Sequence, residues 1–382
     1  MARAAQAIWE GDMGKQLVLV GGGHAHMVTL SKIHELIAAG HQVTVIGPSD
    51  HHYYSGMGPG MLGGSYTPDD IRFATRHVVE KQGGQFIRDK VTRIDPDDRI
   101  VFTASGQTLA YDVLSFNAGS HVPTTIVAVE DQDVFLVKPI ERLLEAKQRF
   151  SELISQKKVA VGIVGGGPSA AEISGNLLQL ARTNRGNTPS ITILSGRRLM
   201  ARFPEPVRGR VERDLKRRGV RIIEQDFVEA IKSGCIHMRS GQTHAADFII
   251  LALGVVPSTI FKASGLPSGP DGGLRVNRFL QSTAYPNLFG GGDCIYFEDR
   301  PLDKVGVYAV RQNPVLHYNL KAALEGNALQ PFDPGGEYLL IFNLGERTGV
   351  LHKRWLTFGG RPAFIAKDFI DRRFMKEFQS IE

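Results

Sequence analysis

Cysteine is scarce in this chain: Cys235 and Cys294 are the only two among 382 residues. Two thiols cannot make a disulfide framework, and alone they cannot make a structural zinc site. Neither CxxC nor CxxxxC spacing occurs, so a redox dithiol is excluded. Such usage fits a reducing, cytoplasmic setting. Long apolar runs are lacking as well. None reaches the roughly 18–20 residues needed to cross a bilayer. The N-terminal stretch has no apolar signal-peptide core, and residues 1–14 read as a disordered leader. No concentrated basic motif accompanies the formal net charge of +6. Lysines and arginines are scattered, so nucleic acid is not an expected partner. A mildly basic chain instead suits anionic dinucleotides or an anionic membrane surface.

What the chain has in quantity is glycine, 43 residues. Several lie at the ends of apolar runs. Residues 17–20 are apolar and end in Gly21-Gly22-Gly23. A helical stretch over 27–39 follows, stopped by Gly40, and residues 43–46 form the next buried strand. This is a βαβ unit. The unit recurs in mid-chain. Residues 159–164 lead into Gly165-Gly166-Gly167-Pro168-Ser169, a helix runs to about Ala181, and residues 191–194 close it. Two copies so far apart indicate two nucleotide-binding folds rather than a solenoid. The expected fold class is α/β: two Rossmann-like FAD/NAD(P)-binding domains, the second inserted in the first, plus a small C-terminal α+β extension. The expected boundaries are 15–140 and 259–330 for the two parts of the first domain, 141–258 for the second, and 331–382 for the C-terminal domain.

In the first turn Gly21 and Gly23 occupy the first two positions of GxGxxG, and His26 takes the third. The turn permits close backbone approach to a pyrophosphate, with a helix N-terminus aimed at its charge. His24 and His26 straddle Ala25 at a helix start, a poor metal pair without further ligands, so no metal is expected. His26 packs where a small residue usually sits. The second strand lacks a terminal acid for ribose; Ser49 or backbone groups take that role, and Asp50 lies further along. The second turn matches GxGxxA through Gly165, Gly167 and Ala170, with Glu172 opening the helix. Its next strand ends in Ser195-Gly196-Arg197-Arg198. These arginines are either a 2′-phosphate contact, which favours NADPH over NADH, or a solvated basic turn. A third feature, Gly290-Gly291-Gly292-Asp293, places an aspartate after a strand-end glycine run. Such an aspartate bonds a polyol hydroxyl, and the helix beginning near Val305 aims its positive end at the same ligand.

These three features, in this order, resemble the pyridine nucleotide-disulfide oxidoreductase superfamily, the two-dinucleotide-binding-domain flavoproteins. Tyr111-Asp112-Val113-Leu114 through Gly119 and the segment ending Gly254-Val255-Val256-Pro257 resemble its two interdomain signatures. More narrowly, Gly21 to His26, Tyr54-Ser55-Gly56-Met57-Gly58-Pro59 and Lys367-Asp368-Phe369-Ile370-Asp371-Arg372-Arg373 resemble the branch fused to selenide, water dikinase. That branch is similar to type II NADH dehydrogenases and sulfide:quinone oxidoreductases. The resemblance implies FAD and NADH or NADPH as cofactors. It assigns FAD to Gly21, Gly23, His24, Ala25, His26, Ser49, Pro59, Val91, Asn117, Ala118, Gly119, Lys138, Gly292, Asp293 and Val305. It assigns the nicotinamide dinucleotide to Gly165, Gly167, Pro168, Ser169, Glu172, Arg197 and Gly254.

In that resemblance NAD(P)H reduces the flavin, which passes electrons to a small-molecule acceptor of quinone type. The protein positions and the cofactor reacts. Lys138 and Gln312 are the candidate catalytic residues. One cysteine near the flavin leaves a sulfide:quinone oxidoreductase-like enzyme as an alternative, and a non-catalytic flavin-binding sensor or assembly protein as another. Ile370, Phe374, Phe378 and Ile381 are spaced for one helical face, with Arg372, Arg373 and Lys376 off it. That stripe either touches a membrane, placing the protein peripherally on its inner face, or docks on the body or on a second subunit as a homodimer.

Overall fold

The computed structural model describes residues 14–126 and 133–382. The leader expected over 1–14 falls outside these, apart from Gly14. Two parallel five-stranded sheets organise the chain. The first is laid down by β1 (Gln16–Val20), β2 (Gln42–Gly47), β3 (Gln85–Arg88) and β4 (Val113–Phe116). The second contains β5 (Val134–Leu136), β6 (Ala160–Val164), β7 (Ser190–Ser195), β8 (Arg221–Glu224) and β9 (Phe248–Leu251), in the order β5-β9-β6-β7-β8. The chain then returns, and β10 (Leu288–Gly290) completes the first sheet as β10-β4-β1-β2-β3. The inserted order of the two units is therefore as expected. Continuous apolar runs such as Leu17 to Val20 and Phe248 to Leu251 are buried on both faces, as parallel strands covered by helices must be.

One boundary and one helix differ from the sequence expectation. The outgoing and returning segments pair with each other, Ser120 opposite Pro257 and His121 opposite Val256. Beyond that crossing, β5 pairs in parallel with β9 in the second sheet, so the second unit begins before residue 141. Three residues of β5 are too short a run to reveal their sheet without the partner strand. The first-unit helix is also not continuous. It divides into α1 (Met27–Ser31) and α2 (Ile33–Ala38) at Lys32, whose φ of −124° leaves the helical region. Gly40 stops it with φ of +91°, a conformation that suits glycine.

The second unit's helix, α3 (Pro168–Thr183), starts at the second glycine turn. After the first sheet closes, α4 (Gly306–Glu325) ends at Gly326, whose φ is +75°. The C-terminal unit is a three-stranded antiparallel sheet, β11 (Leu340–Asn343), β12 (Gly349–Lys353) and β13 (Leu356–Gly360), followed by α5 (Arg361–Gln379). It packs on α3 at very short range. A Cβ on Gly175 would lie 1.9 Å from the carbonyl oxygen of Leu344. Arg218 fastens the same crossing by donating to the Leu344 carbonyl at 2.5 Å and the Gly175 carbonyl at 2.9 Å.

Gly175→Ala should therefore reverse the usual helix-propensity gain of about 1 kcal/mol. Overpacking against Leu344 is expected to lower stability by about 1–3 kcal/mol. Thermal melting measures it, and a raised Tm would contradict the close approach.

Candidate active site

Three separated glycine segments converge at the C-terminal edge of the first sheet, where open α/β sheets bind ligands. Their meeting point is Asn117, at the end of β4. Its side-chain oxygen accepts the Ala25 N–H at 3.1 Å, and its amide nitrogen donates to the Gly291 carbonyl at 2.9 Å. Its backbone N–H donates to Val20 at 2.8 Å. Glycine is obligatory around it. Added Cβ atoms would lie 2.3 Å from the Asn117 carbonyl oxygen at Gly21, 2.3 Å from its side-chain oxygen at Gly23, and 2.5 Å from its side-chain nitrogen at Gly292. Gly119 has φ of +66° and open space where a Cβ would point.

His26, at the third motif position, is a structural tie. Nδ1 lies 2.7 Å from the Gly21 carbonyl and Nε2 lies 2.8 Å from the Ser115 hydroxyl. A carbonyl can only accept, so Nδ1 carries the proton and Nε2 accepts from Ser115. That arrangement needs one ring proton, and burial pulls the His26 pKa down to about 4. His24 points the other way. Its Nδ1 is 3.3 Å from His52 Nε2, and its ring stacks on Phe374 of α5 at 5.5 Å between centroids. Burial, then His52 and Lys138, hold it well below the usual histidine range. Burial likewise takes His52 to about 4. Among the described residues no group of three or more His, Cys, Asp or Glu is placed to hold a metal ion.

The expected acid is present. Asp293 accepts from Lys138 Nζ at 2.7 Å and from the Ser120 hydroxyl at 2.7 Å. Gln312, buried in α4, accepts the Gly292 N–H at 2.7 Å and so fixes the turn that carries Asp293. Val305 is the residue before the first turn of α4. Pro59 is buried in the short helix Gly58–Leu62, and Val91 opens the strand Val91–Asp95 beside the first sheet. Ser49 accepts from the His51 N–H at 3.3 Å. Asp50 is bracketed by Arg76 at 3.7 Å and Arg88 at 3.6 Å.

The cradle fits a dinucleotide pyrophosphate. Among the described residues no backbone partner reaches the N–H groups of Gly22 and Gly23, and His24 Nε2 is buried without a partner. A buried polar group left unpaired costs about 1–3 kcal/mol, which an anionic ligand would recover. Gly21, Gly23, the His24 ring, Ala118, Gly119 and Asp293 would hold FAD here.

The second turn repeats the first. Gly165 would meet the Ala252 carbonyl oxygen at 2.1 Å if it carried a Cβ, the counterpart of Gly21 against Asn117. Gly167 and Gly254 face open space, and Pro168 and Ser169 start α3. Glu172 does not face this turn. Its carboxylate accepts the Asn343 N–H from β11 at 2.7 Å. Burial raises its pKa to about 7 against the opposing pull of Lys367. Lys367 pairs with Asp371 at 2.9 Å, and the Tyr54 hydroxyl donates to Asp371 at 3.2 Å. His52, Lys367, Asp371 and Asn343 were not among the expected site residues. Lys367 and Asp371 stand four apart on one helix, a spacing visible in the sequence. Asn343 and His52 carried no such signal. Cys294 is buried, its thiol donates to the Gly291 carbonyl at 3.3 Å, and burial pushes its pKa up to about 11. It is inert.

Two parallel sheets, each headed by a glycine turn, with an acid supplied by a third turn, define a two-dinucleotide-binding-domain flavoprotein. The family model described as pyridine nucleotide-disulphide oxidoreductase matches residues 15–316, and the chain belongs to that family. It is thus an FAD-dependent oxidoreductase that works with a nicotinamide dinucleotide. The type II NADH:quinone oxidoreductase of Staphylococcus saprophyticus is 24% identical over 94% of each chain. The demethylphylloquinone reductase of Synechocystis is 23% identical over 94% of this chain and 92% of its own length. The NDH2 structure from Plasmodium falciparum in complex with NADH has a TM-score of 0.80 at 14% identity, covering 96% of this chain and 97% of that one. The sulfide:quinone oxidoreductase of Aquifex aeolicus has a TM-score of 0.76 at 19% identity, covering 97% and 92%.

Replacing His26 by the glycine of the motif is expected to weaken the fold, not restore it. The loss of two buried hydrogen bonds and of ring volume should cost about 2–4 kcal/mol by urea unfolding. The native His26 pKa lies below the unfolded 6.5, so its stabilisation is full above pH 6.5 and is lost as pH falls toward 4. His26→Gly should flatten that part of the stability–pH curve. An unchanged slope would refute a neutral His26.

Proposed function

We propose that the protein carries electrons from a reduced nicotinamide dinucleotide, through FAD, to a quinone-class acceptor, while resting on an anionic membrane face. The observation that carries this reading is the C-terminal unit. It closes over the flavin-side residues His24 and Tyr54 with Phe374 and turns an apolar, basic surface outward. Similarity to NADH:quinone and demethylphylloquinone reductases across 94% of the chain supports the same acceptor class. Cys294 is sealed in the core and Cys235 lies in the second unit, so neither thiol is available to carry sulfur.

FAD, when bound, supplies hydride acceptance and two-electron delivery. The chain's own residues orient and shield. Lys138 and Ser120 fix Asp293. The His24–His52 pair remains neutral and adds no cation to the pocket. Glu172, with its pKa near 7, can hold or release a proton between the second glycine turn and the C-terminal unit.

The stripe expected on one face is divided. Phe374, Phe378 and Ile381 turn onto the body, because His24, Tyr54 and Phe73 offer aromatic partners there, while Ile370 does not join them. The outward face carries Ile365 (57% exposed), Phe369 (65%) and Ile370 (43%), beside Trp355 (88%) at the β12–β13 turn. Arg361, Arg373, Lys376 and Arg354 of the same unit are exposed, whereas Arg372 is paired with Asp368 at 3.0 Å and Asp70 at 3.7 Å. Exposed aromatic and aliphatic side chains on a unit that also exposes cations suit the interface of an anionic bilayer. No helix among the described residues is long and apolar enough to cross a membrane.

Rapid mixing of the FAD-loaded protein with reduced nicotinamide dinucleotide should bleach the flavin band, and a short-chain quinone should restore it. No bleaching with either NADH or NADPH would overturn the dehydrogenase reading; bleaching without reoxidation by quinone would overturn the acceptor. Separately, the triple change Ile365→Glu, Phe369→Glu, Ile370→Glu should reduce flotation with phosphatidylglycerol vesicles at least about tenfold. Surface changes of this kind leave stability within about 0.5 kcal/mol. Equal flotation of both proteins would remove the membrane assignment.

A further inference from the structure

The end of β7 is built differently from a site for an unphosphorylated ribose. A nucleotide-binding strand at this position ordinarily ends in an acid that bonds the ribose hydroxyls. Here Ser195 stands at the strand end and is buried. It lies directly against the second glycine turn, since a Cβ on Gly166 would be 1.9 Å from its hydroxyl oxygen. The strand end and the phosphate turn are therefore adjacent, as a single adenosine moiety requires.

Beside them opens a cavity of about 390 Å³, lined by Gly196, Arg197, Arg198, Glu205, Arg208 and Gln225 among others. The charges in it are unequal. Glu205 is already gripped by Arg208, at 2.6 and 2.9 Å. Glu224, at the end of the neighbouring strand, accepts the Leu199 N–H at 2.6 Å. Arg208 is further occupied by Glu212 at 2.6 Å. Among the described residues Arg197 and Arg198 form no ion pair or side-chain hydrogen bond, whereas Arg208, Arg217 and Arg218 of the same unit do. The cavity thus holds two guanidinium groups free of hydrogen bonds, of which Arg198 lies near enough to Glu205 to help Arg208 hold its pKa down, and no carboxylate without a partner. Gly196 leaves room for the half-exposed Phe227 ring, which would lie 2.3 Å from a Cβ at that position.

We infer that this cavity is a phosphomonoester site for the 2′-phosphate of the donor, so that the protein uses NADPH in preference to NADH. Guanidinium groups bind a phosphate through charge-assisted, bidentate hydrogen bonds. NADH offers a hydroxyl in the same place, which gains nothing from two cations and finds no acid. The inference rests on the second unit being the donor site, and it specifies which donor.

The test separates the two. The full-length FAD-loaded protein is titrated by calorimetry with adenosine 2′,5′-bisphosphate and with adenosine 5′-monophosphate, neither of which can reduce a flavin. The bisphosphate should bind about 10–100-fold more tightly, as two charge-assisted hydrogen bonds imply. The ratio should fall below about threefold in Arg197→Ala/Arg198→Ala, with unchanged Tm, because both side chains are exposed. The kcat/KM ratio for NADPH over NADH should fall in parallel. Equal binding of the two nucleotides by the unaltered protein overturns the inference while leaving the donor site intact. A preference that survives the double substitution overturns it as well. Failure of both nucleotides to bind overturns the donor-site reading itself.

Discussion

Everything at the first site depends on how closely β4 approaches the first glycine turn, and Asn117 sets that distance. One side chain uses both ends of its amide, receiving from Ala25 and giving to Gly291. Segments that are far apart in the chain are thereby held in one plane of contact. The cost is paid in sequence freedom: Gly21, Gly23 and Gly292 cannot carry a side chain while Asn117 is there. Gln312 extends the same logic one step outward, fixing Gly292 from α4. Asp293 then has a defined position, with Lys138 and Ser120 completing it. A buried amide and a buried glutamine that satisfy three backbone groups between them make this edge rigid, since any partial loss leaves unpaired polar atoms.

The second unit repeats the geometry without the amide. Ala252 replaces Asn117 as the neighbour of its glycine turn, and only the backbone carbonyl contacts Gly165. Among the described residues no side chain ties the second turn to a distant segment in the way Asn117 does. The difference matches two kinds of occupancy. A resident group is served by a turn locked from three directions. A nucleotide that must leave after each use is served by a turn fixed by backbone contact alone, with its discrimination moved outward to exposed side chains.

The glycine turns were legible because glycine with a strand before it and a helix after it has few other uses, and the parallel units followed from their repetition. Gly326 and Gly40 marked helix ends for the same conformational reason. Other features depend on contacts between distant segments, which local pattern does not encode. The histidine in the third motif position reads locally as a defect, and becomes a tie once Ser115 lies opposite it. Glu172 reads as a ligand of the turn it follows, yet one helical turn rotates it toward Asn343. The C-terminal stripe shows the limit of periodicity most clearly. Spacing put Ile370 and Phe374 together, but an aromatic cluster formed by His24, Tyr54 and Phe73 selects Phe374 and Phe378, and Ile370 is left outside.

That cluster also joins the two halves of the chemistry. Helix α3 begins at the second glycine turn with Pro168, and four residues later, about 6 Å along its axis, Glu172 meets β11. Gly175 and Asn176 then touch Leu344 and Asn343 on the next turn. The C-terminal unit held by α3 in turn lays Phe374 on His24, at the first glycine turn. A single short helix segment thus spans from one nucleotide turn to the unit that covers the other. Along that path Lys367 and Asp371 form a buried ion pair, with Tyr54 donating to Asp371 and Glu172 half-buried beside them, and breaking a buried ion pair typically costs about 3–5 kcal/mol. Their retention in so dry a place is costly unless charge or protons must be held between the two nucleotide turns.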